Sequence, residues 1–169
     1  MQGLLEFLRR RKEDRGLMAD LRCALVESKR HRAWPYLARF GGIGDEFRAQ
    51  AVQTIAGLYA THPNESNQTD ADFGSLCRKF LSEEERGKIA TAEGVGPVTR
   101  RFQHVLAADR EEVFDRVTRL VLRAKAQDIP VNYGKLADDL LAWETRPDRV
   151  RTRWAQSFWA PSEEAEGAS

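Results

Sequence analysis

The apolar residues Val113, Val117, Leu120, Val121 and Ala124 are separated by four, three, one and three positions. A helix places all five on one face, and a strand does not. The same period returns along most of the chain: Leu4, Leu5, Phe7 and Leu8; then Leu17, Leu21 and Leu25; then Phe47, Ala51, Ile55, Leu58 and Tyr59. It continues in Val98, Phe102, Val105 and Leu106, in Leu136, Leu140 and Trp143, and in Val150, Trp154 and Phe158. A short helix is expected between Asp72 and Leu81. Apolar–polar alternation of strand length is missing, as is an Asn-Gly hairpin signal. The expected fold class is all-α.

Polar and breaker residues divide these stripes. Gly41-Gly42-Ile43-Gly44 leads to Asp45, the expected N-cap of the helix carrying Phe47. Thr61 to Thr69 is polar and contains Pro63, so it is expected to be a loop. Ser82-Glu83-Glu84-Glu85 and Asp109-Arg110-Glu111-Glu112 both fit a capping box, with Asp109 as N-cap and Glu112 reaching back. Asn132 is placed to cap the helix of Leu136, and Thr145 with Pro147 to open the last helix. Thr91 to Pro97 holds two glycines and a proline, and is expected to hinge two small helical subdomains, 1–93 and 98–160. Trp143, Trp154 and Phe102 are the expected anchors of the second. Residues 161–169 are acidic, have no apolar anchor and are expected to be disordered.

With 169 residues, of which 41% are hydrophobic and 31% charged, the chain is too apolar to be disordered and too charged to span a membrane. No apolar run approaches the ~18–20 residues of a transmembrane helix. Met1 to Arg11 mixes apolar and basic residues and does not read as a secretory signal. A cytoplasmic protein with two reduced thiols, Cys23 and Cys77, is expected.

Candidate catalytic chemistry is sparse. His31, His62 and His104 are scattered, with no cysteine or histidine at ligand spacing. Cys77 lies on an apolar face and reads as core filling. Asp138-Asp139 and Glu83-Glu84-Glu85 are sequence neighbours, which a helix points ~100° apart. Gly41 to Gly44 lacks the Lys-Ser/Thr ending of a phosphate loop. No enzyme activity, metal or cofactor is expected.

Charge is more informative. The net charge of +1 hides two basic stretches around an acidic middle, and 21 of the 27 basic residues are arginine. Arginine forks onto phosphate and stacks on bases, although a GC-rich genome produces the same bias. Arg116, Arg119 and Arg123 form one stripe at i, i+3 and i+7. Arg100 and Arg101 lie off the Val98/Phe102 face, Arg149 and Arg153 are one turn apart, and Arg9-Arg10-Arg11-Lys12 is a continuous basic run. Such stripes suit a phosphate backbone. They also suit a solvated face, with Glu112 available to Arg116 and Asp115 to Arg119. A free-standing helical interaction module therefore stays open as a second reading. A helix-turn-helix regulator does not fit, because Thr91 to Pro97 is too long for its turn and the following helix too apolar.

Phe73-Gly74-Ser75-Leu76, the block Arg100-Arg101-Phe102-Gln103-His104-Val105-Leu106-Ala107-Ala108-Asp109-Arg110, Arg119-Leu120-Val121, Tyr133 to Trp143, and Arg151 to Phe158 stand in an order and spacing that resembles CasB, the small subunit of the type I-E CRISPR surveillance complex Cascade. Leu21-Arg22 and Trp34-Pro35-Tyr36 through Phe40 extend the resemblance upstream. It implies an all-helical, non-catalytic subunit of two small subdomains. The implied partners are the other Cascade subunits, a second copy of the chain, the CRISPR RNA and target DNA, including the displaced strand. Arg22, Arg100, Arg101, Arg119, Arg149 and Arg153 match positions that are usually basic in the family, and Arg123 joins them through its stripe. Cys23 departs from the family, where a second basic residue often stands. Arg110 reads as structural, beside Asp109.

Overall fold

A computed structural model describes residues 1–160; the tail 161–169 lies outside the described residues. Ten α-helices follow one another: α1 (Gln2–Arg10), α2 (Arg15–Arg22), α3 (Trp34–Leu37), α4 (Phe47–Thr61), α5 (Phe73–Arg78), α6 (Glu83–Thr91), α7 (Pro97–Leu106), α8 (Val113–Ala126), α9 (Tyr133–Trp143) and α10 (Pro147–Trp159). Short 3₁₀ segments at 23–25, 27–32 and 38–40 carry the chain around α3. Among the described residues the only β-pairing is one bridge between Glu65 and Val131. The fold is all-α.

α4 is the central element. Its expected stripe is buried, and so is every other position from Ala51 to Ala60. A helix that is apolar on all sides can only be surrounded, and α1, α2, α8 and α9 pack around this one. Small residues open its second face. A Cβ on Gly57 would meet Leu25 Cγ at 2.6 Å. Gln53, buried in the same helix, donates to the Gly44 carbonyl at 2.9 Å, which satisfies a polar group that would otherwise be costly inside.

The helix ends differ from expectation at five positions, each time because the residue has another partner. Asp45 pairs with Arg30, and Glu46 takes the N-cap position of α4 without a side-chain bond. Asp109 accepts from the amides of Glu111 and Glu112, both at 2.9 Å, in a turn that delays α8 to Val113. Glu112 turns forward to Arg116 at 2.6 Å instead of back. Thr145 closes α9 through its amide to the Ala142 carbonyl, so Arg146 precedes Pro147 as N-cap of α10. Ser82 and Asn132 cap as expected, but the capping box at Ser82 is half formed, because the Glu85 carboxylate goes to the Val98 amide and not back to Ser82.

The chain breaks between α6 and α7 as anticipated, with Ala92 in the left-handed region and Gly94 at φ +135°. Glu85 bridges the break. Its buried carboxylate accepts from the Val98 amide at 3.0 Å, placing an acid at the positive end of α7. Packing also crosses the break, because residues from both sides contribute to one continuous apolar core.

The closest approach between the two halves is α5 against α10. A Cβ on Gly74 would lie 2.0 Å from the Trp154 carbonyl oxygen. Asp72 caps α5 by accepting from the Ser75 amide at 3.0 Å, and also accepts from the Ser157 hydroxyl of α10 at 2.9 Å. Arg78 donates to the Phe158 carbonyl at 2.7 Å. Trp154 packs on Phe73 and Trp143, and Phe102 stacks on Phe158 at 4.2 Å between centroids. Phe102, Trp143 and Trp154 are buried, as their helix phases predict.

Two glycines in helices should therefore respond oppositely to alanine. Gly74→Ala forces the α5 and α10 backbones apart and should cost about 1–3 kcal/mol. Gly87→Ala meets nothing within 4 Å and should stabilise by about 0.4–1 kcal/mol. Trp154→Ala should cost about 3–5 kcal/mol. Urea midpoints of the three variants check the signs and the order.

Candidate nucleic-acid interface

The seven arginines singled out by sequence divide by what their guanidinium groups touch. Arg100 and Arg101 are exposed on α7, and among the described residues their guanidinium groups make no ion pair or hydrogen bond. Arg149, at the start of α10, is likewise exposed and without a side-chain partner among the described residues, over a shallow depression that it shares with Asp148, Thr152, Arg153 and Gln156. Three cations without carboxylate partners keep their full charge available to an incoming anion.

The stripe on α8 is different. Arg119 pairs with Asp115 at 2.7 Å, with both side chains mostly in water. Arg116 pairs with Glu112 and donates to the His104 carbonyl. Arg123 lies over the Phe80 ring, 5.4 Å from its centroid. With Arg101 and His104 these residues line a groove of about 780 Å³ between α7 and α8. Arg101, Arg119 and Arg123 are thus brought together, but Arg119 is locally neutralised. Exposed pairs of this kind contribute little to stability and exchange partners readily.

Arg22 and Arg153 have internal partners. Arg22 Nε donates to the Ala60 carbonyl at 3.0 Å, joining α2 to the end of α4. Arg153 binds Asp139, a residue only 2% exposed, whose second oxygen accepts from the Trp154 indole at 2.7 Å. Burial raises the Asp139 pKa, opposed by the Trp154 N–H and by Arg153. Arg153 therefore belongs to the seam between α9, α10 and α5, which the spacing of Arg149 and Arg153 could not reveal. The basic run at the start is also engaged: Arg9 is bidentate on Glu65, and Arg11 pairs with Asp14 at 2.5 Å. Arg110 pairs with Glu144 at 2.5 Å rather than with Asp109.

Sequence reasoning missed Arg39. It is exposed, and its guanidinium rests on the rings of Phe7 and Phe40, 4.4 and 4.7 Å from their centroids. The contact joins α1 to the segment after α3, so nothing local in sequence points to it.

No group of three or more His, Cys, Asp or Glu is placed to hold a metal among the described residues. Cys77 is fully buried and its thiol is pushed well up by burial. His62 is buried and hydrogen-bonded to the Ile129 carbonyl at 2.8 Å.

The family model for CRISPR-associated protein Cse2 matches residues 17–159. The chain belongs to the CasB/Cse2 family. Its Cse2 relative from Thermus thermophilus is 28% identical over 130 residues, 76% of this chain and 68% of the relative. The crystal structure of CasB from Thermus thermophilus superposes with a TM-score of 0.70 at 24% identity, covering 94% of this chain and 96% of that one. CasB from M. ruber gives 0.69 at 20% identity, over 99% and 97%. CasB from Thermobifida fusca gives 0.68 at 23% identity, over 94% of each. At these identities the structures speak for the fold.

In this Cse2-family chain the Asp139 cluster is the part of the basic surface that stability should report. Asp139→Ala strands the Trp154 indole N–H and leaves Arg153 only its longer contact with Asp72, at 3.9 Å. The loss should fall at the lower end of about 3–5 kcal/mol, because Arg153 is about one-third exposed and water screens it. Asp148→Ala breaks an exposed pair with Arg151 and should leave the unfolding midpoint nearly unchanged. Equal effects of the two substitutions in chemical denaturation would contradict this assignment.

Proposed function

We propose that this chain is a non-catalytic structural subunit of a type I-E Cascade complex. In this reading it binds nucleic acid without sequence specificity and steadies the R-loop. Its partners are the other Cascade subunits, the CRISPR RNA and target DNA with its displaced strand, and a second copy of the chain within the complex, all in the cytoplasm. Membership of the family supports the assembly. The observation that carries nucleic-acid binding is the set of exposed, unpaired guanidinium groups at Arg100, Arg101 and Arg149. A phosphate backbone takes cations at irregular positions and releases condensed counterions, so unpaired surface arginines suit it without any base-reading helix. Arg119 and Arg123 would join once a phosphate competes with Asp115. Arg22 contributes only the part of its guanidinium not committed to Ala60, and Arg153 stays on Asp139. No helix among the described residues is long and apolar enough to cross a membrane.

The ion pairs along α8 favour one alternative locally: a solvated face on a protein-interaction module. Salt dependence separates the two readings. Three single-strand phosphate contacts give log K a slope near −2 against log salt, at roughly −0.7 per contact. Replacing Arg100 and Arg101 with Ala should reduce that slope by roughly 1.4, leave helicity unchanged, and shorten R-loop retention by the assembled complex. Unrelated sequences should bind equally. An unchanged slope together with an unchanged R-loop lifetime would assign the arginines to a solvated face.

A further inference from the structure

A groove of about 520 Å³, within the usual range for small-ligand sites of about 300–1,000 Å³, opens between the end of α1 and the segment around α3. Phe7, Arg10, Arg11, Tyr36 and Arg39 are among the residues that line it. Nothing in the packing of the core requires these planar and cationic groups to be exposed together. Among the described residues Arg39 has no carboxylate partner, yet it is held. Its guanidinium lies against both Phe7 and Phe40, whose rings are 5.5 Å apart and tilted by 39°. That contact with two rings restrains the guanidinium while the residue stays exposed. Tyr36 is held too, because its hydroxyl donates to Asp20 at 3.2 Å, and Asp20 is anchored by Arg32 at 2.7 Å. Tyr36 stays 36% exposed.

We propose that this groove is a base-stacking subsite for single-stranded nucleic acid. A base lies on the Arg39 plane or the Tyr36 ring, and Arg10 and Arg11 face the flanking phosphates. The proposal rests on the nucleic-acid reading above and adds a different chemistry to it. Arg100, Arg101 and Arg149 have no aromatic ring beneath them to order their planes and serve here as phosphate contacts, whereas a guanidinium held on aromatic rings and a tethered phenol ring recognise the π-face that every base presents. Charge complementarity selects the occupant. Arg10 donates from Nε to the Glu6 carbonyl at 3.3 Å and has a long contact of 3.9 Å to the Glu6 carboxylate, and Arg11 shares its charge with Asp14, so with Arg39 the rim keeps a net positive charge. Pre-ordering matters because an arginine already immobilised by aromatic rings loses little further freedom when a base stacks on it. The expected occupant is a strand with unpaired bases, since a duplex buries its base faces.

The test compares a short oligothymidylate with an abasic strand of equal phosphate count, by fluorescence anisotropy at low salt. The wild-type chain should prefer the base-bearing strand by roughly tenfold, the scale of one stacked base. Arg39→Ala should bring that preference close to one. Arg39→Lys keeps the charge and loses the plane, so it should lose the preference while holding the abasic strand. Replacing Arg100 and Arg101 with Ala should weaken both strands alike and leave the preference intact. Helicity measured alongside confirms that each variant is folded. A preference that survives Arg39→Ala, or a wild-type chain that binds both strands equally, overturns the stacking subsite and leaves phosphate binding standing. A wild-type chain that binds neither strand overturns both.

Discussion

The contact of α5 with α10 joins the first half of the chain to the second, and much of the surface is arranged around it. Gly74 admits the Trp154 carbonyl against its backbone, which no side chain would allow. That approach brings Asp72 to Ser157 and Arg78 to Phe158, so both ends of α5 are bonded to α10. Trp154 then reaches Asp139 on α9, and Asp139 takes Arg153. One close approach of two backbones thereby fixes a buried carboxylate, an indole and an arginine in a single network. Buried polar groups are tolerable only when all their partners are present, so such a network holds its geometry or fails as a whole.

This arrangement sorts the arginines. A long side chain near a carboxylate or a free carbonyl is held by it, and Arg9, Arg22 and Arg153 each cross between elements in that way. Those on α8 meet acids of their own helix one turn away. On α7 the turn around Arg100 and Arg101 contains no acid, Glu85 is turned inward to the Val98 amide, and across the groove from Arg101 Glu112 and Asp115 are taken by Arg116 and Arg119. Unpaired charge at that end of the molecule follows from where the acids lie. The chain's near neutrality consequently coexists with a few guanidinium groups whose charge is not locally cancelled.

Apolar periodicity made the helices legible because burial and helical phase are the same information read twice. Val113 to Ala124, Val98 to Val105 and Val150 to Phe158 all lie as their spacing requires. Caps were less legible. Asp45, Glu112 and Thr145 have local rules that favour capping, but a distant arginine, a forward arginine and the close of the preceding helix outcompete them. The same limit applies to the surface. Arg149 and Arg153 look equivalent one turn apart, yet one faces solvent and the other Asp139. Arg39 is organised by Phe7, more than thirty residues earlier, and no local pattern encodes that contact.

The central claim is a division of labour: arginines bonded within the protein hold the fold, and unpaired ones meet nucleic acid. A structure of the chain within its assembled CRISPR complex on target DNA tests it most directly. The account predicts the guanidinium groups of Arg100, Arg101 and Arg149 within about 4 Å of phosphate oxygens, the ion-pair range, while Arg153 remains on Asp139. The contradicting result would be Arg153 released to a phosphate with Arg100, Arg101 and Arg149 facing solvent or protein carboxylates.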